Sequence, residues 1–312
     1  MRILITGNSG FIGTNLSRHL NSNHTLYGLD ITSGNKYVIE TFSWEEFKYQ
    51  LIPDVDIIIH LAGKAHDTKK KDDAQSYYDI NTGLTQKIFD HFMVSKASKF
   101  IFFSSVKAAV DSIPCEILTE DVVPNPKGAY GESKILAEKY IQEKWPSQES
   151  GKSVYILRPC LIHGPGNNGN FKLLYNFVSK GIPWPLGSFE NRRSFTSVDN
   201  LSFVIDGLIS KNIESGIYHI ADDEALSTNE LISVICETLG RKGKILRLPK
   251  GLMNFVAKIG GALQLPLNSE RLHKLTENYV VSNSKIKNAL GVDSMPVSAK
   301  EGLQHTIQSF QK

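Results

Sequence analysis

A doubly wound α/β fold on a parallel sheet is what this sequence predicts, and three observations predict it. Short, almost continuous apolar runs recur through the first half, as strands covered on both faces require. Helix-period stripes fall between those runs, giving the strand–helix alternation of right-handed crossovers. The first strand turns into the first helix through Thr6-Gly7-Asn8-Ser9-Gly10-Phe11-Ile12-Gly13, a loop with three spaced glycines.

The elements follow in order. Residues 2–6, 25–30, 56–60, 99–105 and 153–159 read as strands, rich in β-branched and apolar side chains. Ile12, Leu16 and Leu20 form a helix stripe, as do Leu84, Ile88 and Phe92, and then Ile135, Ala137, Tyr140 and Ile141. From Gly164 the pattern loosens into GPGNNGN, which is turn chemistry. Ser227-Thr228-Asn229-Glu230 is a capping box, opening a helix that ends at Gly240. Residues 251–267 read as an amphipathic helix interrupted by Asn254, Lys258, Gln264 and Pro266; burial in the core is favoured over contact with a membrane surface. The basic stretch Arg241, Lys242, Lys244, Arg247 and Lys250 reads as a solvated surface, with phosphate binding the lesser reading. Two parts are expected: residues 1–163 as a dinucleotide-binding unit, and 164–312 as a smaller, mainly substrate-binding α/β part with segments returning to the sheet.

Composition narrows the function classes. The 312 residues are 41% hydrophobic and 21% charged, typical of a globular chain and unlike a disordered or disulfide-stapled one. A net charge of +3 gives no electrostatic footprint for nucleic acid. Cys115, Cys160 and Cys236 are odd in number and lack metal-ligand spacing, so a reducing, cytoplasmic setting and no metal are expected. The opening MRILITG runs straight into a strand, so no leader is expected, and no stretch of about 18 apolar residues suggests a membrane span.

The chemistry gathers at strand ends. In the glycine loop, Gly7 permits the tight turn, Gly10 lets the backbone approach a pyrophosphate, and Gly13 lets helix and strand pack closely. The helix N-terminus offers free N–H groups to phosphates. Asp30, 23 residues beyond Gly7, reads either as a turn aspartate or as the acceptor for adenosine ribose hydroxyls. No Arg or Lys occurs between Asp30 and Lys36, so NAD is favoured over NADP. Tyr130 and Lys134 stand at i and i+4 on one helix face, where an ammonium can make a phenol a usable base. Ser104 and Ser105, at the end of a strand 25 residues before that tyrosine, bring hydroxyls to the same sheet edge.

In order and spacing, TGNSGFIG, Asp30, His60-Leu61-Ala62-Gly63, Asn81, the Ser-Ser strand end, YGESK and LRPCLIHGPG resemble the extended short-chain dehydrogenases/reductases, specifically the nucleotide-sugar epimerase/dehydratase group, over essentially the whole chain. The resemblance implies a Rossmann fold with bound NAD contacted by Gly7, Gly10, Phe11, Ile12, Gly13, Asp30, Leu61, Ala62, Gly63, Asn81, Ser104, Tyr130, Lys134 and Pro159. It implies Ser105, Tyr130 and Lys134 as catalytic residues, and Lys107, Asn170, Pro185, Leu186, Arg193 and Arg271 as contacts of a UDP-linked sugar. Arg193 would grip the diphosphate while one of Arg192 and Arg193 points to solvent. His60 is expected to be a satisfied core histidine, and Asn81 reads equally as a helix cap. Departures from the group's pattern are Ala108-Ala109-Val110 after the serines, Lys107, and Leu161 in place of an asparagine; Val106-Lys107 lacks the acidic pair that dehydratases carry.

The function so implied is NAD-dependent epimerisation at sugar C4 of a hexose or N-acetylhexosamine. The alternatives are an NAD(P)H-dependent 4-keto-sugar reductase of surface-polysaccharide synthesis and, in another class, a non-catalytic dinucleotide sensor. A homodimer through a four-helix bundle is expected, because the helices around Leu84 to Phe92 and Ile135 to Ile141 carry more apolar residues than one sheet-facing stripe needs.

Overall fold

The computed structural model describes residues 1–65, 74–113, 115–145, 151–262 and 268–311. In chain order the strands are β1 (Arg2–Thr6), β2 (Thr25–Leu29), β3 (Glu40–Phe42), β4 (Ile57–His60), β5 (Lys99–Phe103), β6 (Ser153–Pro159), β7 (Leu161–His163), β8 (Phe195–Ser197) and β9 (Gly216–Ile220). Seven of them form a parallel sheet in the order β3-β2-β1-β4-β5-β6-β9, and β7 and β8 form a second, two-stranded sheet. The helices are α1 (Phe11–Leu20), α2 (Trp44–Lys48), α3 (Ala74–Tyr77), α4 (Leu84–Val94), α5 (Val106–Ala109), α6 (Ala129–Lys144), α7 (Asn170–Ser179), α8 (Val198–Ser210), α9 (Thr228–Thr238), α10 (Lys250–Ala262), α11 (Ser269–Thr276), α12 (Ser284–Leu290) and α13 (Ala299–Ser309). A π-helical turn, Tyr78–Gly83, joins α3 to α4.

Period-two alternation divides the core between the two sheet faces. Ile3, Ile5, Ile57, Ile59 and Leu157 pack with Leu16 and Leu20 of α1 and Leu201 and Ile205 of α8. Leu4, Ile58, Phe100, Phe102 and Ile156 point the other way, onto Ile88, Phe89 and Phe92 of α4 and Ala137 and Ile141 of α6. A separate core joins Phe171, Leu231, Ile235, Met253, Leu272 and Leu303 of the later helices with Trp184 of the loop after α7. The strand order reverses at β1, which pairs with β2 on one side and β4 on the other. A crevice at the carboxyl ends of such neighbouring strands is where doubly wound sheets bind ligands.

The five strands read from the sequence are all present, and β3 and β9 are added at the two sheet edges. The capping box at Ser227 is formed, with both its bonds to Glu230. Two expectations change. Ile88, Phe92, Ile135 and Ile141 are already buried within the protomer, so of the apolar residues expected to pair two copies, half-buried Leu84 and, next to Ile135, 44% exposed Leu136 remain. In α10, Met253 and Ala257 enter the core while Leu252, Phe255, Val256 and Ile259 remain exposed, because the helix carries two apolar stripes rather than one. Gln264 and Pro266 lie outside the described residues.

Candidate active site

The glycine loop is held by backbone geometry that only glycine fits. Gly7 has φ of 71°, and a Cβ there would sit 2.8 Å from the Ala62 amide nitrogen. A Cβ on Gly13 would sit 2.2 Å from the Gly7 carbonyl oxygen, so α1 can approach β1 this closely only without a side chain. Gly10 is the N-cap of the ten-residue α1 and supplies no side-chain cap, leaving the first amides for an incoming anion. Phe11 and Ile12 are half-buried; the Phe11 ring lies beside Gly164 and Gly166 of the GPGNNGN turn. The half-buried Asp30 carboxylate accepts hydrogen bonds from the Ser9 and Ile31 amides at 2.8 and 2.7 Å, tying the acid to the loop. Each oxygen keeps a second lone pair for a ribose hydroxyl. Open helix end, close-approach glycines and tethered acid together fit a dinucleotide.

At the next strand end, Leu61 and Ala62 are fastened to Thr6, whose carbonyl accepts from the Leu61 amide and whose hydroxyl accepts from the Ala62 amide, each at 3.1 Å. Asn81 is fully buried in the π-helical turn rather than capping a helix start. Its Oδ1 accepts from the Lys64 amide at 2.7 Å, and its Nδ2 donates to the Lys64 carbonyl at 3.0 Å and to Ser133 Oγ at 2.9 Å. It therefore clamps the 61–64 loop against α6. Exposed Gly63 forms the floor: a Cβ there would meet Asn81 Oδ1 at 2.9 Å and Lys134 Nζ at 3.0 Å. His60 is a core residue as expected, with Nδ1 2.7 Å from Thr6 Oγ1 and Nε2 3.0 Å from Thr85 Oγ1; burial first, then the Lys134 charge, lowers its pKa to about 3.

Ser105, Tyr130 and Lys134 come together above β5. Ser105 caps α5, accepting from the Lys107 amide at 3.2 Å, and its hydroxyl stands close enough to the Tyr130 phenol to act on its pKa. Burial pushes that phenol above its ordinary value near 10, opposed by the neighbouring Ser105 hydroxyl. The Tyr77 ring stands edge-on to it at 6.3 Å. Lys134 is buried, donates to the Phe103 carbonyl at 2.8 Å and lies 5.1 Å from the Phe102 ring centre. Desolvation lowers its pKa to about 8, with Glu138 acting the other way.

Several expected contacts are otherwise engaged. Ser104 donates to Glu138, a carboxylate bound in turn by Arg158 through Nη2 at 2.6 Å and Nε at 3.0 and 3.2 Å. This buried pair was missed in the sequence, although Glu138 is one turn beyond Lys134 and Arg158 is a charge inside an apolar strand. Pro159 is buried at the end of β6, in register with Ile220. Lys107 Nζ bonds the Asp111 carbonyl at 2.6 Å and lies 4.5 Å from the Tyr279 ring centre. Leu186 is core, 3% exposed, so only the half-buried Pro185 offers the apolar cover expected of both. Asn170 opens α7, and its side chain lies outside the described residues. Arg193 donates from Nη1 to the Lys274 carbonyl at 2.6 Å, with Nη2 3.6 Å from Glu277, while Arg192 is the exposed member of the pair. Arg271 is exposed on α11, the helix whose Lys274 carbonyl receives Arg193.

Residues 3–221 match the model of the NAD dependent epimerase/dehydratase family. The chain belongs to that family. Within it, the chain is 30% identical to a UDP-glucose 4-epimerase of Vibrio cholerae over 99% of its length and 95% of the relative. It is 25% identical to an N-acetyl-alpha-D-glucosaminyl-diphospho-ditrans,octacis-undecaprenol 4-epimerase of Escherichia coli O157:H7, over 98% of its length and 94% of the relative. Its fold matches the solved UDP-N-acetylglucosamine 4-epimerase of Bacillus cereus with a TM-score of 0.78 at 21% identity, each chain covered completely. The family's NAD dependence agrees with the cradle around Gly7, Gly10 and Asp30.

Proposed function

We propose that this chain is an NAD-dependent 4-epimerase of a nucleotide-linked hexose or N-acetylhexosamine, with UDP as the nucleotide. The observation that carries this reading is the gathering of Ser105, the Tyr130 phenol and buried Lys134 at the end of β5, with exposed Gly63 beside the Lys134 ammonium. The names of the V. cholerae and B. cereus relatives support the choice of C4 and UDP. The intact trio argues against a non-catalytic sensor.

NAD, when bound, supplies a reversible hydride acceptor for C4. Tyr130 removes the proton of the C4 hydroxyl as the carbonyl forms, and returns it to the opposite face product. Ser105 holds the same oxygen by a hydrogen bond and keeps the phenol aimed at it. Lys134 places an ammonium beside Phe103 and Gly63, where it can bond a ribose hydroxyl. Asn81 acts through the Lys64 backbone as a positioning residue. Arg193 is assigned to the diphosphate, a planar donor suited to two phosphate oxygens, once it exchanges the Lys274 carbonyl and Glu277 for them.

Turnover of UDP-glucose and UDP-N-acetylglucosamine by the native and Tyr130→Phe proteins tests the assignment. The variant keeps the ring's packing, so NAD affinity should survive while turnover falls by roughly 10²–10⁴-fold. Near-native turnover in Tyr130→Phe would remove the phenol from the mechanism.

A cytoplasmic setting is supported by three free cysteines, Cys115, Cys160 and Cys236. A homodimer across α4 and α6 is supported by exposed Leu136 and the partly buried Leu84. Light scattering should return twice the protomer mass, and Leu136→Glu should lower it; a protomer mass for the native protein would exclude the dimer.

A further inference from the structure

Away from the site, α10 presents a surface that the epimerase reading does not use. Successive helical residues are about 100° apart, which gathers Leu252, Phe255, Val256 and Ile259 into one arc of about 100°. Those four side chains are 48%, 60%, 42% and 41% exposed, and Leu246 ahead of the helix is 45% exposed. The opposite stripe, Met253 and Ala257, is the one consumed by the core. An ordinary surface helix leaves its second side polar; this one leaves it apolar.

The charge around the stripe is as unusual as its exposure. Between Glu237 and Glu270 the chain carries Arg241, Lys242, Lys244, Arg247, Lys250 and Lys258 and no acidic residue, although the whole chain is only +3. The rest of the molecule is therefore net acidic, and the cations are concentrated on α10 and the stretch of chain that leads into it. A second copy meeting this face would bring the same uncompensated cations together, so self-association is disfavoured. An extended anionic surface with an apolar interior meets both features at once.

We propose that α10 and the basic segment before it dock this protein on an anionic lipid bilayer. The Leu252–Phe255–Val256–Ile259 arc lies at the acyl boundary, and the cations of 241–258 lie among the headgroup phosphates. α10 packs on α11, whose Lys274 carbonyl holds Arg193, so docking turns the Arg193 end of the molecule toward the lipid. The proposal does not depend on the reaction assigned above.

The test is sedimentation of the full-length protein with vesicles of phosphatidylcholine alone or with about 30 mol% phosphatidylglycerol, at about 50 mM and about 500 mM NaCl. Binding should be at least about tenfold stronger on the anionic vesicles at low salt and should fall at high salt. A Phe255→Ser/Ile259→Ser protein with native melting and NAD affinity should lose that binding. So should Lys242→Glu/Lys244→Glu, which decides the matter if the first variant misfolds. Equal partition onto both vesicle types, or native binding by the folded variants, would overturn the proposal. So would absence of vesicle binding combined with a solution mass that Phe255→Ser lowers, which would make the arc a protein–protein face.

Discussion

Lys134 touches the Phe103 carbonyl at a strand end and borders exposed Gly63 in the loop after β4. Burial has lowered its pKa to about 8, so its charge titrates within reach of working pH. Activity that needs the ammonium should therefore decline as pH rises through about 8, and the residual activity of Lys134→Met should lack that limb. Stability moves the other way. Burial penalises the charged form in the folded state only, so this residue's penalty is fully present below about 8 and is relieved as pH rises toward its ordinary 10.5. A pH–rate profile and a pH–melting series on the same two proteins separate the effects; a rate limb near 8 that persists in Lys134→Met would assign it to another group.

At the scale of elements, what was legible in the sequence was what depends on local pattern. β1, the glycine loop and α1 could be read because period, turn chemistry and helix start coincide within twenty residues. Tyr130 and Lys134 were legible because i, i+4 spacing is local, and Asp30 because it ends a strand. Long-range partners were not legible: nothing near Ser104 in the sequence reveals that it donates to Glu138 of α6, which Arg158 of β6 binds in turn. The burial of Leu186 was not legible either, since nothing in Trp184-Pro185-Leu186-Gly187 reveals that it joins the core that holds Ile232 and Ile235. Edge strand β9 was missed because the five residues GIYHI stand alone, far in sequence from the β6 they pair with. The Glu138–Arg158 pair gives this scale its prediction. Both side chains are essentially inaccessible, so Glu138→Gln leaves a buried guanidinium without its counter-charge and should cost about 3–5 kcal/mol in chemical unfolding. A loss below about 1 kcal/mol, the range of a surface pair, would mean that water reaches the pair.

For the whole molecule, the sheet brings the ends of β1, β4 and β5 side by side, while Arg193, outside that sheet, is held by the Lys274 carbonyl of α11. That division suits a reaction in which one part holds a redox cofactor and the other holds a substrate that must turn over without leaving. Such a reaction has no net oxidation, which separates it from reduction of a 4-keto sugar by external NADH. Fate of the hydrogen on C4 is therefore the most direct test. A mixture of C4-deuterated and unlabelled UDP-hexose is incubated with the native protein, and the C4 epimer is analysed by mass and NMR. The account predicts that the epimer forms with deuterium still on C4 of the originally labelled molecules, with no added NADH consumed. Deuterium lost to solvent or exchanged into unlabelled molecules, or product formed only from a 4-keto sugar with one NADH consumed per turnover, would contradict it.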